Sequence, residues 1–247
     1  MEFPNLDQLH LIAPLDSDGG LHMALDRWML DQKGAFLRFY HWKRPCLSLG
    51  KNQSLEGVDR EFLSSQGIDL IRRPTGGQAV LHHHELTYAL SADVPPFSKS
   101  VAECTAQVVL PLVKALQTLG VEADLGPLRK FHPSGDNCFA QLSPFEVHLG
   151  GKKLIGSAQR RGRGRFLQHG AILLKIEQPW WRQLWGDQST DRCTSLEAAL
   201  GQVPLWRELA QAVQAEYEDA AGLKAEEWVI TRAQWRHLES QAASYRL

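Results

Sequence analysis

Two adjacent glycines between runs of alternating apolar and polar residues constrain the fold of this chain more than any other feature. Gly150 and Gly151 separate the run FEVHL from the run KKLIGSA. A two-residue turn of the primed type needs positive backbone φ angles, which glycine adopts without steric cost. The pattern therefore predicts an antiparallel hairpin whose second strand starts at the two lysines.

The other strand-like runs lie in the middle of the chain, between helical segments. They are AFLRFYHW, CLSLGK, IDLIRR and RFLQHGAILLKI. Apolar residues at helical spacing predict helices over Leu21–Met29, over 98–119 with a kink or break at Pro111, and in PLWRELAQAVQAEYEDAAG, which Gly222 would cap. This order predicts an α+β fold with a mainly helical part after about Asp191.

Composition excludes several classes of protein. The 247 residues contain no apolar run near the roughly 20 residues that a membrane span needs. The first residues lack a signal-peptide pattern, so a cytoplasmic location is expected. A formal net charge of -1 gives no general attraction to nucleic acid or to anionic membranes. Four scattered cysteines predict reduced thiols, with neither disulfides nor a zinc ribbon.

The segment RRPTGGQAVLHHHELTY, which begins at Arg72, is a candidate ligand loop. Its paired glycines can bring backbone amides close to a ligand, and its two arginines can hold an anionic or carbonyl group. A plain hairpin turn is an equally good interpretation of the glycines. Alternation along a strand would point the three consecutive histidines in different directions, so we expect no metal there and assign His82 to the wall of a pocket.

The segment KKLIGSA combines a lysine with small residues. Gly156, Ser157 and Ala158 leave room for a chain-like substrate against the backbone. Regular alternation would place Lys153 and Ile155 on one face and Leu154 on the other. A lone strand lysine is usually a surface residue, so its role depends on what lies opposite. Four arginines follow and form either a docking site for an acidic partner or a solvated loop: Arg160, Arg161, Arg163 and Arg165.

Together these motifs resemble the biotin/lipoate ligase and lipoyl-transferase superfamily over most of the chain. RRPTGGQAVLHHHELTY resembles its acyl-binding motif, GKKLIGSAQRR its lysine motif and RFLQHGAILL the strand after it, while HMALDRWML and LRFYHWKRPCLSLGKNQ are similar to its opening helix and strands. The resemblance implies a mixed, largely antiparallel sheet flanked by helices and a catalytic domain over residues 1–190. The helical pattern after about Asp191 predicts a small helical extension over 191–247, either a subdomain or helices packed on the main sheet. The resemblance also implies a substrate-binding set of Arg72, Arg73, Gly76, Gly77, Gln78, His82, Gly156, Ser157, Ala158 and His169.

Cys138 distinguishes the branches of the superfamily. Cysteine-dependent octanoyltransferases pass an acyl group through a thioester, and CFAQLSPFEVHLGGKKLIGSAQRR resembles their pattern of a Cys-Phe ahead of the lysine hairpin. Lys153 follows 15 residues later. A free thiol has a pKa of about 8.5, and a neighbouring ammonium stabilises its thiolate. We therefore expect Cys138 as the nucleophile and Lys153 as its activator, although a lone cysteine is often simply buried, as expected for Cys46, Cys104 and Cys193.

The resemblance implies transfer of octanoyl from acyl carrier protein to a lysine of a lipoyl-carrier protein, such as glycine cleavage H protein or an E2 lipoyl domain. Transfer between thioesters and then to an amide needs no cofactor or metal. The alternatives are an ATP- and Mg²⁺-dependent lipoate-protein ligase, an amidotransferase between carrier domains, and a silent binding module. Gln78 departs from the glycine or arginine usual at its position in the superfamily.

Overall fold

A large mixed sheet dominates the computed structural model, which describes residues 2–126 and 146–247. Within those residues the sheet has eight strands in the order β11-β1-β2-β6-β10-β9-β8-β7. β1 pairs in parallel with β2 and β11, and the remaining pairs are antiparallel. The strands are β1 Leu9–Ser17, β2 Ala35–Trp42, β6 Glu85–Asp93, β7 Ala123–Leu125, β8 Val147–Leu149, β9 Lys152–Gly162, β10 Arg165–Leu173 and β11 Glu226–Glu227.

A small second sheet and the helices complete the described fold. The small sheet has the order β4-β3-β5, with β3 Cys46–Leu49, β4 Asp69–Arg72 and β5 Val80–His82. The helices are α1 Gly19–Asp31, α2 Arg60–Ser65, α3 Val101–Thr118, α4 Gln178–Trp185, α5 Leu196–Leu200, α6 Trp206–Ala221 and α7 Arg232–Ala242. No helix in the described ranges combines the length and the apolar character needed to cross a bilayer. The α+β class, with a largely antiparallel sheet flanked by helices, is confirmed.

Local sequence signals account for several element ends. Gly150 and Gly151 have φ angles of 57° and 76°, as the predicted two-residue hairpin requires. Helix α6 ends at Gly222, whose φ of 73° is left-handed, also as predicted. Helix α3 begins after Ser100, whose side chain accepts a hydrogen bond from the amide of Glu103. It continues through Pro111, so the proline does not split it, and the helix buries its apolar face on both sides of that residue.

A register shift interrupts the β8–β9 pairing just after the glycine turn. Val147 pairs with Ile155, but the next residue, His148, pairs with Lys153. Leu154 and Ile155 are both buried in the same hydrophobic cluster, which regular alternation would not allow. The prediction that Lys153 and Ile155 share a face opposite Leu154 is therefore wrong, because the extra residue of the bulge changes the phase of the strand.

The C-terminal helices pack on the same body as the sheet. Leu209, Val213 and Tyr217 of α6 belong to the hydrophobic cluster that contains residues of β6, β10 and α3. Helix α7 contacts α1, and β11 extends the large sheet beside β1. The predicted division into residues 1–190 and 191–247 stays a prediction. The region after 190 contains three α-helices, the short 3-10 helix Ala243–Tyr245 and a two-residue strand.

Candidate active site

An apolar slot lies where β5 of the small sheet meets β2, β9 and β10 of the large one. It is a narrow cleft with a cavity volume of about 30 Å³, which becomes about 370 Å³ when the open space at its mouth is included, and its surface is almost wholly apolar. The apolar lining includes Met23, Tyr40, Trp42, Val80 and Ala171. Six predicted site residues also line the slot: Arg73, His82, Gly156, Ser157, Ala158 and His169.

The two predicted ligand-binding arginines hold the glycine loop itself. Arg73 donates to the carbonyl oxygens of Gly76 and Gln78 at 2.8 and 2.7 Å. Arg72 donates to the carbonyl oxygens of Gly50 and Gln53 at 2.9 and 2.7 Å. These guanidinium groups therefore bind backbone carbonyls of their own chain, and Arg72, Gly76, Gly77 and Gln78 form the loop beside the slot rather than its lining.

Close packing and backbone conformation explain two glycines here, Gly50 and Gly77. Gly77 has a φ of 89°, and a Cβ there would lie 2.9 Å from a guanidinium nitrogen of Arg73. A Cβ on Gly50 would lie 1.8 Å from the carbonyl oxygen of Gly77. Gly76 has open space around it. The loop thus needs glycine at residues 50 and 77 to keep its shape.

One side of the slot is bordered by a buried chain of hydrogen bonds, the Asp26 chain, formed by Asp26, His169 and Thr75. Nδ1 of His169 lies 2.7 Å from the Asp26 carboxylate, and Nε2 lies 2.6 Å from the Thr75 hydroxyl. Because a carboxylate only accepts, Nδ1 carries a proton, and in the neutral ring Nε2 accepts from Thr75. Asp26 also pairs with the buried guanidinium of Arg38 at 3.0 Å and accepts from the Tyr40 hydroxyl.

A second buried chain, the Glu85 chain, is formed by Glu85, His82 and Ser48. Nδ1 of His82 lies 2.6 Å from Glu85, and Nε2 lies 2.7 Å from the Ser48 hydroxyl. Trp42 also donates to Glu85, and its ring stacks on His82 with centroids 3.9 Å apart. Burial lowers the pKa of His82 despite the neighbouring Glu85, so the ring is neutral at physiological pH.

Ser157 connects the slot to the interior of the sheet through a series of hydrogen bonds. Its hydroxyl lies 2.8 Å from the Tyr88 hydroxyl, which accepts from Gln168 at 2.9 Å. Burial raises the pKa of Tyr88 to about 12, so it stays a neutral phenol. A Cβ on Gly170 would lie 2.6 Å from the Tyr88 ring and 2.7 Å from the carbonyl oxygen of Gly156. Gly170 therefore allows β9 and Tyr88 to approach closely beside the slot.

Lys153 is wholly buried on β9, three residues before Gly156. Its ammonium forms an ion pair with the buried carboxylate of Glu146. A buried charge is stable in a protein only when it is paired or hydrogen-bonded. Lys153 is thus not the snorkelling surface lysine that a lone strand position commonly holds, and Glu146 is its partner in the described structure.

Cys138 lies outside the described residues, so its distance from Lys153 stays a prediction. The other three cysteines, Cys46, Cys104 and Cys193, are confirmed as buried free thiols. Burial raises the pKa of Cys193 to about 11 and that of Cys46 well above its usual value. These two thiols are therefore poor nucleophiles.

The arginine cluster after β9 divides into structural and exposed members. Arg161 donates to the carbonyl oxygens of residues 98–100, just before α3. Arg165 pairs with Asp93 and donates to the carbonyl oxygens of Leu30 and Gly34. Arg160 donates to the Pro74 carbonyl at 3.1 Å, beside the glycine loop. Arg163 is exposed in the turn between β9 and β10.

Sequence reasoning missed the acidic partners of the site: Asp26, Glu85 and Glu146. Asp26 lies four residues after His22 on α1, and both are buried. Arg38 stands among apolar residues of β2, a sign that a buried acid must be near. These two signals were available, but neither identifies the partner.

Comparison with known proteins assigns the family. The chain belongs to the lipoyl protein ligase A/B catalytic domain family, which it matches over residues 18–218. It is 32% identical over 246 residues to octanoyltransferase LipM of Oceanobacillus iheyensis, covering 92% of this chain and 90% of that protein.

Solved structures share the fold at lower identity. The Thermoplasma acidophilum protein Ta0514, assigned as a lipoate protein ligase and solved with lipoic acid, gives a TM-score of 0.77 at 21% identity, covering 99% of this chain and 94% of the other. A second structure describes the bipartite lipoate protein ligase of that organism and its E2 lipoyl domain. It gives a TM-score of 0.70 at 20% identity and covers 96% of this chain and 91% of that one. The superfamily expected from the motifs is confirmed.

Proposed function

We propose that the protein is an octanoyltransferase of protein lipoylation. Octanoyl passes from acyl carrier protein to Cys138 as a thioester, and then to a lysine of a lipoyl-carrier protein as an amide. The proposed location of this reaction is the cytoplasm. The relative that matches almost the whole chain is itself named an octanoyltransferase, which supports this activity.

One observation carries the proposal: the slot presents an almost wholly apolar surface beside the strand that holds Lys153. An unsubstituted alkyl chain gains free energy by leaving water for such a surface, at roughly 25 cal/mol per Å² of buried apolar area. Gly156 and Ala158 keep the wall at β9 open. The two polar chains place His82 and His169 in the wall of the slot, and their hydrogen bonds fix the orientation of these rings.

The chemistry requires a thiolate, and Lys153 supplies the positive charge for it. The Cys138 thiolate attacks the thioester carbonyl, and the carbon–sulfur bond to the carrier breaks. The carrier sulfur leaves and takes up the proton that Cys138 released on becoming a thiolate. The acceptor amine then attacks the enzyme thioester, the carbon–sulfur bond to Cys138 breaks, and one proton of the amine passes to the Cys138 sulfur. Glu146 holds the Lys153 ammonium in the protein interior between these steps.

No cofactor takes part in this proposal, because each step exchanges an acyl bond for one of equal or lower free energy. The acceptor is a lipoyl-carrier domain, such as an E2 lipoyl domain or glycine cleavage H protein. The structural relative described with its E2 lipoyl domain supports an acceptor of this kind. ATP and Mg²⁺ enter only if the protein is a ligase.

The exposed part of the arginine cluster is the proposed contact for the acidic donor carrier. Arg163 is free to project from its turn, whereas Arg161 and Arg165 bind the backbone. We expect Arg163→Ala to raise the KM for octanoyl carrier protein about twofold to fivefold, more strongly at low salt, with kcat unchanged. Arg60→Ala, an exposed arginine on α2, is the control. Equal KM values for the two variants at low ionic strength would remove the docking role.

Intact-mass spectrometry of the protein after incubation with octanoyl carrier protein, without nucleotide, tests the reaction. One octanoyl adduct is expected in the parent protein and none in Cys138→Ser. Cys193→Ser is the matched control, because its thiol is buried with a pKa of about 11, and it should keep the adduct. Addition of a lipoyl domain should remove the adduct and yield an octanoylated lysine.

Other outcomes identify the alternatives. Modification of the acceptor by lipoate and ATP, equal in Cys138→Ser, identifies a ligase. Transfer from an octanoylated lipoyl domain but not from acyl carrier protein identifies an amidotransferase. The absence of modification under every condition contradicts an enzymatic role.

A further inference from the structure

Two of the three consecutive histidines meet outside the slot. His83 and His84 lie in the bend between β5 and β6, with ring centroids 3.7 Å apart. The expectation of no metal at this run rested on strand alternation, which does not apply in a bend. His83 also stacks on Trp180 of α4, with centroids 4.8 Å apart. The helix thus packs directly against the histidine bend.

An acidic side chain completes the group. Glu177, the residue before α4, places a carboxylate oxygen 3.7 Å from Nε2 of His84, which is too long for a hydrogen bond. One potential ligand atom from each of His83, His84 and Glu177 lies within 4.8 Å of the others. Ligands at about 2.0–2.2 Å from one zinc ion are at most about 4 Å apart. Small side-chain rotations would therefore bring all three onto one ion.

One ring atom of the group has no partner for its hydrogen-bonding capacity in the part of the chain that the structure describes. This atom is Nδ1 of His83, which is buried. The three side chains are half-buried, so a fourth position can be filled from solvent.

We propose that His83, His84 and Glu177 bind one zinc ion. Two imidazoles and one carboxylate with an open fourth position form a donor set that zinc accepts. The ion would connect the β5–β6 bend to the start of α4. His82 and Glu85 flank that bend and form the Glu85 chain at the slot, so zinc would tie this wall of the slot to the helix. The site is separate from the proposed acyl transfer and does not depend on it.

Competition of untagged, metal-free protein with a chromogenic chelator for Zn²⁺ tests the site. We expect one ion per chain in the parent protein and at least tenfold weaker binding in His84→Ala, in Glu177→Gln and in His83→Phe, which keeps a ring on Trp180. His237→Ala, an exposed histidine of α7, is the matched control and should bind like the parent. Zinc should raise the Tm of the parent and of the control, but not that of His84→Ala.

A cobalt spectrum identifies the ligands. Co²⁺ in the same site should show ligand-field bands without a sulfur-to-cobalt charge-transfer band, because no cysteine takes part. A charge-transfer band abolished by Cys138→Ser would overturn the proposal by assigning the ion to the thiol. Equal zinc affinity in the parent and all three ligand variants, each checked for folding by circular dichroism, would overturn it too, as would failure of the parent to bind Zn²⁺ at micromolar concentrations.

Discussion

The Asp26 chain and the Glu85 chain have the same order of groups but different charge balance. In each, a buried carboxylate holds Nδ1 of a histidine and a hydroxyl lies at Nε2. Asp26 is paired with the guanidinium of Arg38. Glu85 receives hydrogen bonds from the neutral donors Trp42 and Thr87, and its Oε2 is buried without a partner among the described residues.

Because of this difference, we expect one chain to contribute to the stability of the protein and the other to the shape of the slot. A buried acid paired with a buried base is costly to break, because removal of one leaves the other uncompensated. A carboxylate held by neutral donors keeps part of its desolvation cost in the native state. The Asp26 chain should therefore contribute to global stability, whereas the Glu85 chain, with Trp42 stacked on His82, should mainly fix the slot wall.

The largest effect should come from breaking the compensated chain. We expect Asp26→Asn to lower the free energy of unfolding by about 3–5 kcal/mol, because Arg38 remains buried without its counter-charge. Urea unfolding measures the change. Asp31→Asn, which breaks the exposed pair with Arg27, should cost less than about 1 kcal/mol. Equal losses in the two variants would contradict the stabilising role of the Asp26 chain.

The next effect tests the loop that supports the Glu85 chain. Arg73 donates to the Ser48 hydroxyl at 3.2 Å, and a Cβ on Gly77 would lie 2.9 Å from its other guanidinium nitrogen. Gly77→Ala, at a φ of 89°, should lower the free energy of unfolding by about 2–3 kcal/mol. Gly76→Ala is the neighbouring control and should change it by at most about 0.5 kcal/mol. Similar unfolding midpoints for the two variants would contradict the packing argument.

A smaller effect is expected from neutralising Glu85. In Glu85→Gln the side-chain carbonyl can still accept from Trp42, Thr87 and His82, but the amide places a buried donor where Oε2 now has no partner among the described residues. The free energy of unfolding should fall by about 1–2 kcal/mol. The rate of octanoyl transfer should fall by more than the decrease in the fraction of folded protein accounts for. Glu61→Gln, exposed on α2, is the control. A loss as large as that of Asp26→Asn would remove the distinction between the chains.

Local signals predicted the backbone of the site, while its acidic partners depend on tertiary contacts. Paired glycines fix the hairpin turn at Gly150 and Gly151 whatever surrounds it, so the turn could be predicted. Asp26 and His169 meet across 143 positions of sequence, and no local pattern encodes that contact. The bulge at Leu154 was not predicted for a similar reason. The alternation of apolar and polar residues describes an ideal strand, whereas the bulge depends on the pairing of β9 with β8.

The smallest effect tests the charge balance of the Asp26 chain through pH. His22 accepts from Arg38 at Nδ1, 2.7 Å away, and donates from Nε2 to the His41 carbonyl. Burial and the nearby Arg38 hold the pKa of His22 well below 6.5 in the folded state. The unfolded chain therefore binds a proton first as the pH falls, and stability is lost below about pH 6.5.

Between pH 6.5 and 5.5 this one histidine should remove about 1 kcal/mol from the free energy of unfolding. His22→Gln, whose amide oxygen can still accept from Arg38, should lose about that much less than the parent over the same interval. Urea titrations at the two pH values measure the difference, with the exposed His237→Gln as control. If the parent and His22→Gln weaken equally in acid, His22 is not held neutral, and its contact with Arg38 does not contribute to the stability of the Asp26 chain.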